Sequence, residues 1–401
     1  MERVFRERVT RWIETALRKK RLSLNELIRS LPGVHPKLIA EHVRGDKRIL
    51  EELPVVNSNE PFHSYRLPVP HPLDFDWRFV ESSRQLLLDR VLVSTGNEDN
   101  IILLGAPTVF RAAIEQDFPR NVTLVDKCGR IGGLPSDCRH RVVTADLMKD
   151  GIPPMKGKVV VTDPPWYEDY TTAFLWTAAK VTEYGGTVLF SVAPEGTRPG
   201  IEEEWARAKS FARSVGLDFI CSERCLRYKM PPFEQNALRA GGLFNVEHDW
   251  RPGELWTLSR THTNGLIQRP LLSSEQEEWA ERSISGVRFR VRDRHCARFG
   301  DPRLISIVPG DVLDSVSRRD PRRSEADVWT SGNRVYKCFG TNMLLVILDS
   351  ILIGTSAEDA VQTSMGRLLT DQERLQVGNA RDCVIEIARL ERIEYASSWE
   401  G

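Results

Sequence analysis

An acidic residue between a buried strand and two prolines is the feature of this sequence that most directly suggests chemistry. Residues 159–167 read Val-Val-Val-Thr-Asp-Pro-Pro-Trp-Tyr. The apolar, β-branched run is typical of a central parallel strand that is covered on both faces. Pro164 and Pro165 remove two backbone donors and fix φ, so the strand must end there. The segment therefore predicts a rigid elbow at the carboxyl end of a strand, where open α/β sheets bind their ligands.

The chemistry that this elbow offers is the orientation of an amine. A rigid Asp163-Pro164-Pro165 unit holds one carboxylate and several backbone carbonyls in fixed positions, where they can accept hydrogen bonds from N–H groups. Trp166 and Tyr167 follow and offer flat faces on which a planar substrate can stack. A weakly nucleophilic amine needs such acceptors and accurate placement. The simpler alternative is a strand end that is capped by a Pro-Pro turn.

The segment resembles the Asp/Asn-Pro-Pro-aromatic motif of S-adenosylmethionine-dependent amino-methyltransferases, which modify adenine N6, cytosine N4 or a glutamine side-chain amide. The resemblance implies a catalytic site made of Asp163, Pro164, Pro165 and Trp166. In that site the Asp163 side chain and the Pro164 carbonyl accept hydrogen bonds from the substrate NH₂, and Trp166 stacks the substrate ring. It also implies that S-adenosylmethionine is the cofactor.

Strands that alternate with helices surround this motif. The predicted strands cover residues 100–104, 122–125, 141–144, 159–162, 187–192 and 218–221. The predicted helices cover residues 78–93, 109–117, 170–184 and 201–215. This alternation predicts an α/β fold with a doubly wound, Rossmann-like parallel sheet over residues 76–265.

Small and acidic residues follow successive predicted strands, at the sheet edge where a nucleoside cofactor would lie. Gly105 follows the first strand, where the loop comes too close to the cofactor for a side chain. Asp126 is placed to accept both ribose hydroxyls, and Asp146 is placed to accept from the adenine amino group. With Asp163, this order resembles the class I S-adenosylmethionine fold. The predicted cofactor-binding residues are Leu104, Gly105, Ala106, Asp126, Lys127, Asp146 and Leu147.

A second resemblance covers about residues 70–235. Branched-chain polyamine synthases of archaea and thermophilic bacteria join an N-terminal winged-helix module to the same kind of sheet. They carry a Phe-Asp-x-x-x-Val-like segment, here residues 75–80, and Thr-Asp-Pro-Pro, here residues 162–165. The resemblance implies aminopropyl transfer to a polyamine as the alternative activity. Those enzymes have acids in the first glycine loop, whereas this chain has Gly105-Ala106-Pro107-Thr108. A polyamine needs carboxylates around it, so the sequence favours a flat, neutral acceptor.

The altered glycine loop leaves a third alternative, a non-catalytic binding or scaffold protein that kept the sheet. We interpret residues 224–242 as a mobile loop beside the ligand-binding edge of the sheet. This loop mixes aromatic and basic groups and could cover the substrate or form a surface connection. From it we take Tyr228 and Phe233, together with Tyr167, as candidate substrate-binding residues.

Two flanking segments have separate predictions. Residues 1–50 indicate three short helices, with Ser23 as a cap and Glu26 at capping-box spacing. They resemble a helix-turn-helix or winged-helix core, although a protein-interaction or dimerisation bundle is favoured because the third helix carries few basic groups. A homodimer is therefore one expectation. Residues 51–75 form a predicted proline-rich linker.

Residues 266–401 predict an α+β domain of unknown role. Between Arg288 and Arg323 the sequence has ten arginines against five acids, which could bind a nucleic-acid backbone or pair with acids elsewhere. A closing helix over residues 368–395 has Ile385, Leu390 and Ile393 at core spacing.

The composition limits the remaining classes of function. The formal net charge is zero, so no global charge indicates a nucleic-acid or membrane partner. No stretch is long and apolar enough for a membrane span, and seven scattered cysteines predict reduced thiols in the cytoplasm. No Cys or His pairs have zinc spacing, so we predict no metal site. Taken together, the sequence predicts a cytoplasmic S-adenosylmethionine-dependent N-methyltransferase that acts on an exocyclic base amine in nucleic acid.

Overall fold

A computed structural model describes residues 1–19, 22–44, 67–127, 139–149, 151–262, 269–270, 279–292 and 300–396. The helices are α1 (Glu2–Lys19), α2 (Leu24–Ser30), α3 (Pro36–Val43), α4 (Glu81–Val93), α5 (Pro107–Glu115), α6 (Glu168–Val181), α7 (Ile201–Ser214), α8 (Pro232–Ala240), α9 (Thr341–Ile353), α10 (Ala357–Met365) and α11 (Asp371–Ala396). The strands are β1 (Arg78–Phe79), β2 (Asn100–Leu104), β3 (Asn121–Asp126), β4 (Arg141–Thr144), β5 (Gly157–Thr162), β6 (Thr182–Val192), β7 (Leu217–Lys229), β8 (Arg251–Arg260), β9 (Trp279–Ile284), β10 (Val287–Arg292), β11 (Ile305–Ser306), β12 (Val328–Thr330) and β13 (Val335–Lys337).

The larger sheet has eight strands in the order β1-β7-β8-β6-β5-β2-β3-β4. The pairs between β6, β5, β2, β3 and β4 are parallel. β8 runs antiparallel between β6 and β7, and β1 is antiparallel to β7. The predicted doubly wound α/β sheet is therefore confirmed. The prediction that it is parallel is corrected for β8 and β1, which run antiparallel to their neighbours. The reason is that the chain returns from β7 into the sheet instead of crossing over one of its faces.

Neighbouring side chains of the central strands enter two different cores. In β2, Ile101 and Leu103 pack with α4 and α5 on one face of the sheet. Ile102 and Leu104 pack with α6 and α7 on the other face. Because both faces are covered, the strand is apolar along its length, as the sequence indicated. Its carboxyl end is consequently held in a fixed position at the sheet edge.

The described N-terminal helices share a hydrophobic cluster with the chain between β7 and β8. Ile13, Leu27 and Ile39 pack in this cluster with Leu238 and Trp250. The predicted capping box of Ser23 and Glu26 is present at the start of α2. Within residues 1–19 and 22–44 there is no strand that could form a wing. Positions 20–21 and 45–50 of this part and most of the predicted linker lie outside the described residues.

Polar contacts also hold these helices to the larger sheet. The Asn25 side chain donates to the carbonyl of Asn245 at 2.9 Å and accepts from the N–H of Glu247 at 3.1 Å. The two bonds use both ends of one amide, so they fix the orientation of α2 against the segment that leads into β8. The helices therefore form part of the wall around the strand ends.

The structure corrects the predicted bounds of several helices and one loop. The predicted helix over 78–93 begins at Glu81, because Arg78 and Phe79 pair with Lys229 and Tyr228. The predicted mobile loop over 224–242 is instead the end of β7 followed by α8. The predicted helix over 170–184 ends at Val181, and the chain continues directly as β6.

The smaller sheet belongs to the C-terminal part and has five strands in the order β11-β13-β12-β10-β9. All of its pairs are antiparallel, and α9 and α11 pack on β10 in one core. The described C-terminal part is thus α+β, as predicted. None of the described helices combines the length and the apolar composition that a membrane crossing requires.

The predicted core face of the last helix is wrong. Ile385, Leu390 and Ile393 are 38%, 38% and 57% exposed. The buried face instead carries Val384 and Ile387, and it also carries the fully buried carboxylate of Glu391. Glu391 accepts hydrogen bonds from the Gly332 N–H and the Tyr395 hydroxyl, each at 2.8 Å. A charged residue on the core face interrupts the apolar pattern, so the sequence reading chose the wrong face.

Candidate active site

The carboxyl ends of the central strands open into a cavity of about 1060 Å³. This volume is near the upper end of the usual range for small-molecule sites, about 300–1,000 Å³, so it can hold a nucleoside-sized cofactor beside a second group. Most of the predicted site residues line its wall: Gly105, Asp126, Lys127, Asp146, Leu147, Asp163, Pro164, Pro165, Trp166, Tyr167, Tyr228 and Phe233. Leu104 and Ala106, also predicted to bind the cofactor, are buried in the two cores beside the sheet.

Asp163 follows β5, and two hydroxyl groups hold its carboxylate from one side. The Ser191 hydroxyl, from β6, donates a short hydrogen bond to Oδ1. The Tyr228 phenol, from β7, donates to the same oxygen at 2.7 Å. Among the described residues no donor contacts Oδ2. One carboxylate oxygen is thus used to fix the side chain, while the other can accept from a bound molecule.

Burial raises the pKa of Asp163 to about 7, although the hydrogen bonds from Ser191 and Tyr228 oppose the shift. The carboxyl group therefore changes its charge near neutral pH, which is the range in which a general base works best. Burial also raises the pKa of the Tyr228 phenol well above its ordinary value. The phenol consequently remains a hydrogen-bond donor throughout the pH range in which Asp163 titrates.

The loop after β2 touches the loop after β5 at a glycine. Gly105 has a φ of +62°, and a Cβ added there would lie 3.2 Å from the carbonyl oxygen of Asp163 and 3.0 Å from the ring of Phe174. Both the left-handed backbone and the close approach favour a residue without a side chain. Gly105 therefore places the loop that was predicted to hold the cofactor directly against the Asp163 motif.

The two acids beyond Gly105 lie where the sequence placed them. Asp126 is the last residue of β3, and Asp146 follows β4. Oδ1 of Asp146 accepts from the N–H of Met148 at 3.0 Å, and the Lys127 ammonium lies 3.8 Å from Oδ2. These contacts fix the Asp146 side chain at the cavity wall. The donor and acceptor chemistry of this edge fits a nucleoside, whose ribose and base present several polar groups.

Part of the Trp166 indole surface is already occupied by neighbouring side chains. The guanidinium carbon of Arg251 lies 4.5 Å from the centre of the Trp166 ring, and the Tyr228 ring meets Trp166 edge-on with the ring centres 5.3 Å apart. A planar substrate would have to use the remaining surface of the indole. The stacking role that the sequence suggested for Trp166 stays a prediction.

The other two aromatic candidates have structural contacts of their own. The Tyr167 hydroxyl accepts from the backbone N–H of Arg318 at 3.1 Å, which joins the motif to the C-terminal part. Phe233 is buried and packs edge-on against Trp77, with the ring centres 6.2 Å apart. Both residues shape the cavity wall, and their proposed contacts with a substrate remain predictions.

Glu234 is a buried acid of the wall that the sequence analysis missed. His35 Nδ1 accepts from the Lys37 N–H at 3.2 Å, so the ring proton of the neutral form is on Nε2. Nε2 lies 3.0 Å from Oε1 of Glu234 and donates to it. Oε2 of Glu234 is buried without a hydrogen-bond partner among the described residues. A helix cap in the N-terminal part therefore orients a carboxylate at the cavity.

Ser191 was also missed, although a signal for it was present. Thr162 of β5 pairs in register with Phe190 of β6, so the next residues of the two strands, Asp163 and Ser191, lie side by side. A hydroxyl residue within the apolar run of residues 188–192, at the level of the motif, was the available clue. Arg251 and Trp77 had no comparable local signal. Among the described residues, no cluster of His, Cys, Asp and Glu could hold a metal ion.

Comparisons with known proteins give only distant structural similarities. No family model and no curated protein matches the chain. A branched-chain polyamine synthase mutein from Thermus thermophilus, solved with N4-aminopropylspermidine and 5′-methylthioadenosine, is 16% identical over 67% of this chain and 90% of that chain, with a TM-score of 0.49. The N-methyltransferase NodS from Bradyrhizobium japonicum is 15% identical over 45% of this chain and 95% of that chain, with a TM-score of 0.30. A TehB-like methyltransferase from Corynebacterium glutamicum is 12% identical over 46% and 89%, with a TM-score of 0.29. At these values the similarities assign neither an activity nor a substrate to this chain.

Proposed function

We propose that this protein is an S-adenosylmethionine-dependent methyltransferase that acts on an amino nitrogen. The observation that carries the proposal is the geometry of Asp163. Its Oδ1 is held by Ser191 and Tyr228, and its Oδ2 is left for a donor in the cavity that Asp126 and Asp146 share. S-adenosylmethionine, when bound, supplies an electrophilic methyl group.

The residues of this chain would then do three things. Asp126 and Asp146 would hold the ribose and adenine groups of the cofactor. Oδ2 of Asp163 and the Pro164 carbonyl would accept the two N–H groups of the substrate amine, which orients the nitrogen lone pair away from them. The methylated nitrogen must lose a proton, and Asp163, whose pKa is raised by burial to about 7, is placed to accept it.

We propose the exocyclic amine of a nucleobase as the acceptor, because it is planar and has two N–H groups. Contacts of this chain to a nucleic-acid backbone have less support. Within the basic stretch, Arg288 and Arg290 pair with Asp74 and Glu281. Arg318 pairs with Asp169. Much of the local positive charge is thus neutralised inside the protein, so we expect a weak salt dependence of any nucleic-acid binding.

Aminopropyl transfer to a polyamine is the second candidate. Glu234 favours it, since this residue adds to the cavity a buried carboxylate that the sequence did not predict. A cationic amine requires carboxylates around it, and Asp163 with Glu234 would supply two.

A transfer assay with two labelled donors separates the candidates. Wild type and Asp163→Ala would be given either methyl-labelled S-adenosylmethionine or aminopropyl-labelled decarboxylated S-adenosylmethionine. The acceptors would be nucleosides, nucleotides, DNA, RNA and spermidine. We expect methyl label in a base and none with Asp163→Ala. Aminopropyl label in spermidine would support the second candidate instead. Cofactor binding without any transfer would favour a binding protein.

A further inference from the structure

The side chain of Arg251, the first residue of β8, contacts two indole rings in the cavity wall. Its guanidinium carbon is 3.9 Å from the centre of the Trp77 ring and 4.5 Å from the centre of the Trp166 ring. Arg251 pairs in register with Tyr228, the residue that holds Asp163. Arg251 therefore lies on the side of the cavity that Trp166 and Tyr228 form, whereas Asp126 and Asp146 follow strands on the other side of β5.

Arg251 differs from the other arginines of this wall because it forms no ion pair with a described residue. Within the described part of the chain, no carboxylate oxygen lies within 4.0 Å of its nitrogens and no acceptor bonds to them. The other arginines of the wall each form an ion pair with Asp or Glu: Arg6, Arg78, Arg198, Arg288, Arg290 and Arg319. The lysines of the wall, Lys37 and Lys127, are paired as well.

Arg251 is partly buried, and an unpaired guanidinium in such a place is costly because burial removes part of its hydration. Burial lowers the pKa of Arg251 from its ordinary value, and the negative charge of Glu234 is the strongest of the effects that oppose this. An arginine nevertheless remains charged in proteins. The two indole faces recover part of the cost through cation–π contacts. The N–H groups of Arg251 have no acceptor among the described residues, and such groups bind carboxylate and phosphate in pairs.

We propose that Arg251 is the binding residue for an anionic group, a carboxylate or a phosphate, that the acceptor carries near its amine. The inference rests on the proposed function and deepens it by naming the acceptor class. A nucleotide combines a base amine with a phosphate, and an amino-acid-like acceptor combines an amine with a carboxylate. A polyamine has no anionic group and would place further positive charge beside Arg251.

Anion binding can be measured without cofactor or turnover. The thermal unfolding midpoint of the full chain would be followed against inorganic phosphate and against acetate, at constant ionic strength. The variants are Arg251→Gln, Arg251→Lys and, as a matched control, Arg319→Gln, which removes a paired and more exposed arginine of the same wall. We expect wild type and Arg319→Gln to be stabilised by one of the two anions. Arg251→Gln should need at least about ten times more anion, and Arg251→Lys should lie between them, because a lysine keeps the charge and loses the paired N–H groups.

Several outcomes would overturn the proposal. These are a wild type that responds to neither anion, an Arg251→Gln variant that responds as wild type does, and an Arg319→Gln variant that loses as much response as Arg251→Gln. If Arg251→Gln does not fold, the response of wild type and the weaker response expected of Arg251→Lys still test the proposal. A comparison of the stabilisation by phosphate with that by acetate identifies the anionic group that Arg251 binds. Anion binding at Arg251 without methyl transfer to any amine would contradict the proposed function and leave the anion-binding proposal intact.

Discussion

The phenol of Tyr228 lies 2.7 Å from Oδ1 of Asp163, although β7 and β5 are separated in the sheet by β8 and β6. The Tyr228 side chain therefore extends across two intervening strands and fixes the carboxylate of Asp163, which follows β5. Tyr228 also pairs in register with Phe79 and Arg251. One residue thus joins the edge strand β1, the Arg251 site and the proposed catalytic carboxylate.

Tyr228→Phe should move the pH dependence of the reaction. The hydrogen bond from Tyr228 favours the ionised carboxylate, so its loss should raise the pKa of Asp163 further above about 7. The ascending limb of kcat/KM against pH should then shift to higher pH, with a loss of several-fold at pH 7 that alkaline pH partly restores. Ser191→Ala removes the other donor and should shift the limb in the same direction. An unmoved limb with a lower unfolding temperature would mean that Tyr228 only packs.

Asp163→Asn should lose turnover and keep the cofactor. Asparagine keeps the shape and one carbonyl oxygen but cannot accept the proton from the amine. We expect kcat to fall by about 10²-fold or more, as on loss of one preorganised electrostatic group. The affinity for S-adenosylmethionine, measured by calorimetry, should stay within about twofold of wild type. A variant that keeps full kcat would remove Asp163 from the mechanism.

The same substitution should stabilise the folded protein at neutral pH. Because burial raises the folded-state pKa of Asp163 to about 7, the native chain holds this proton between about pH 4 and pH 7, where the unfolded chain has lost it. Folding stability of wild type therefore falls as pH rises through that window, by up to about 1.4 kcal/mol per pH unit from this group.

Asp163→Asn has no such proton and can still accept from Ser191 and Tyr228. Its free energy of unfolding relative to wild type should rise from pH 5 to pH 7 and then level off. Unfolding curves of the two proteins across pH 5–8 provide the measurement, and other titrating groups cancel in the difference. A constant gap across this range would show that the Asp163 pKa is not raised.

The sequence predicted the central strands and the motif because their signals are local. Apolar β-branched runs such as residues 159–162 are read directly from the chain. The end of β7 and helix α8 were taken for a loop, since the pairing of Tyr228 with Phe79 depends on a distant segment. Arg251 was missed for the same reason, because its environment is made by Trp77 and Trp166 from other parts of the chain. The last helix was misread because the buried Glu391 breaks its apolar pattern.

Asp126→Ala should weaken cofactor binding without a direct effect on the amine site. We expect a loss of roughly 1–3 kcal/mol, since the ribose hydroxyls would lose a charged acceptor in a partly buried place. Calorimetric titration with S-adenosylmethionine measures the change, and Asp163→Asn serves as the control at the same sheet edge. Equal affinities of wild type and Asp126→Ala would remove Asp126 from the cofactor site.

Trp166 has two separable roles, and a double-mutant cycle with Arg251 can distinguish them. If Trp166 stacks directly on a nucleobase, Trp166→Ala should raise KM by an amount that corresponds to about 1–3 kcal/mol, with kcat little changed. If it acts by supporting the Arg251 guanidinium 4.5 Å away, the same loss should largely disappear in an Arg251→Gln background.

The cycle consists of wild type, the two single variants and the double variant, assayed with a nucleotide acceptor and with the matching nucleoside. We expect strong coupling for the nucleotide, because Arg251 then contacts the phosphate and Trp166 holds Arg251 in place. For the nucleoside, which lacks the phosphate, Arg251→Gln should have little effect and Trp166→Ala should keep only its stacking loss. Additive effects with both acceptors would mean that Trp166 and Arg251 contact the acceptor independently. Spermidine turnover that is unaffected by Trp166→Ala would instead support the polyamine candidate, since a flexible chain has no ring to stack.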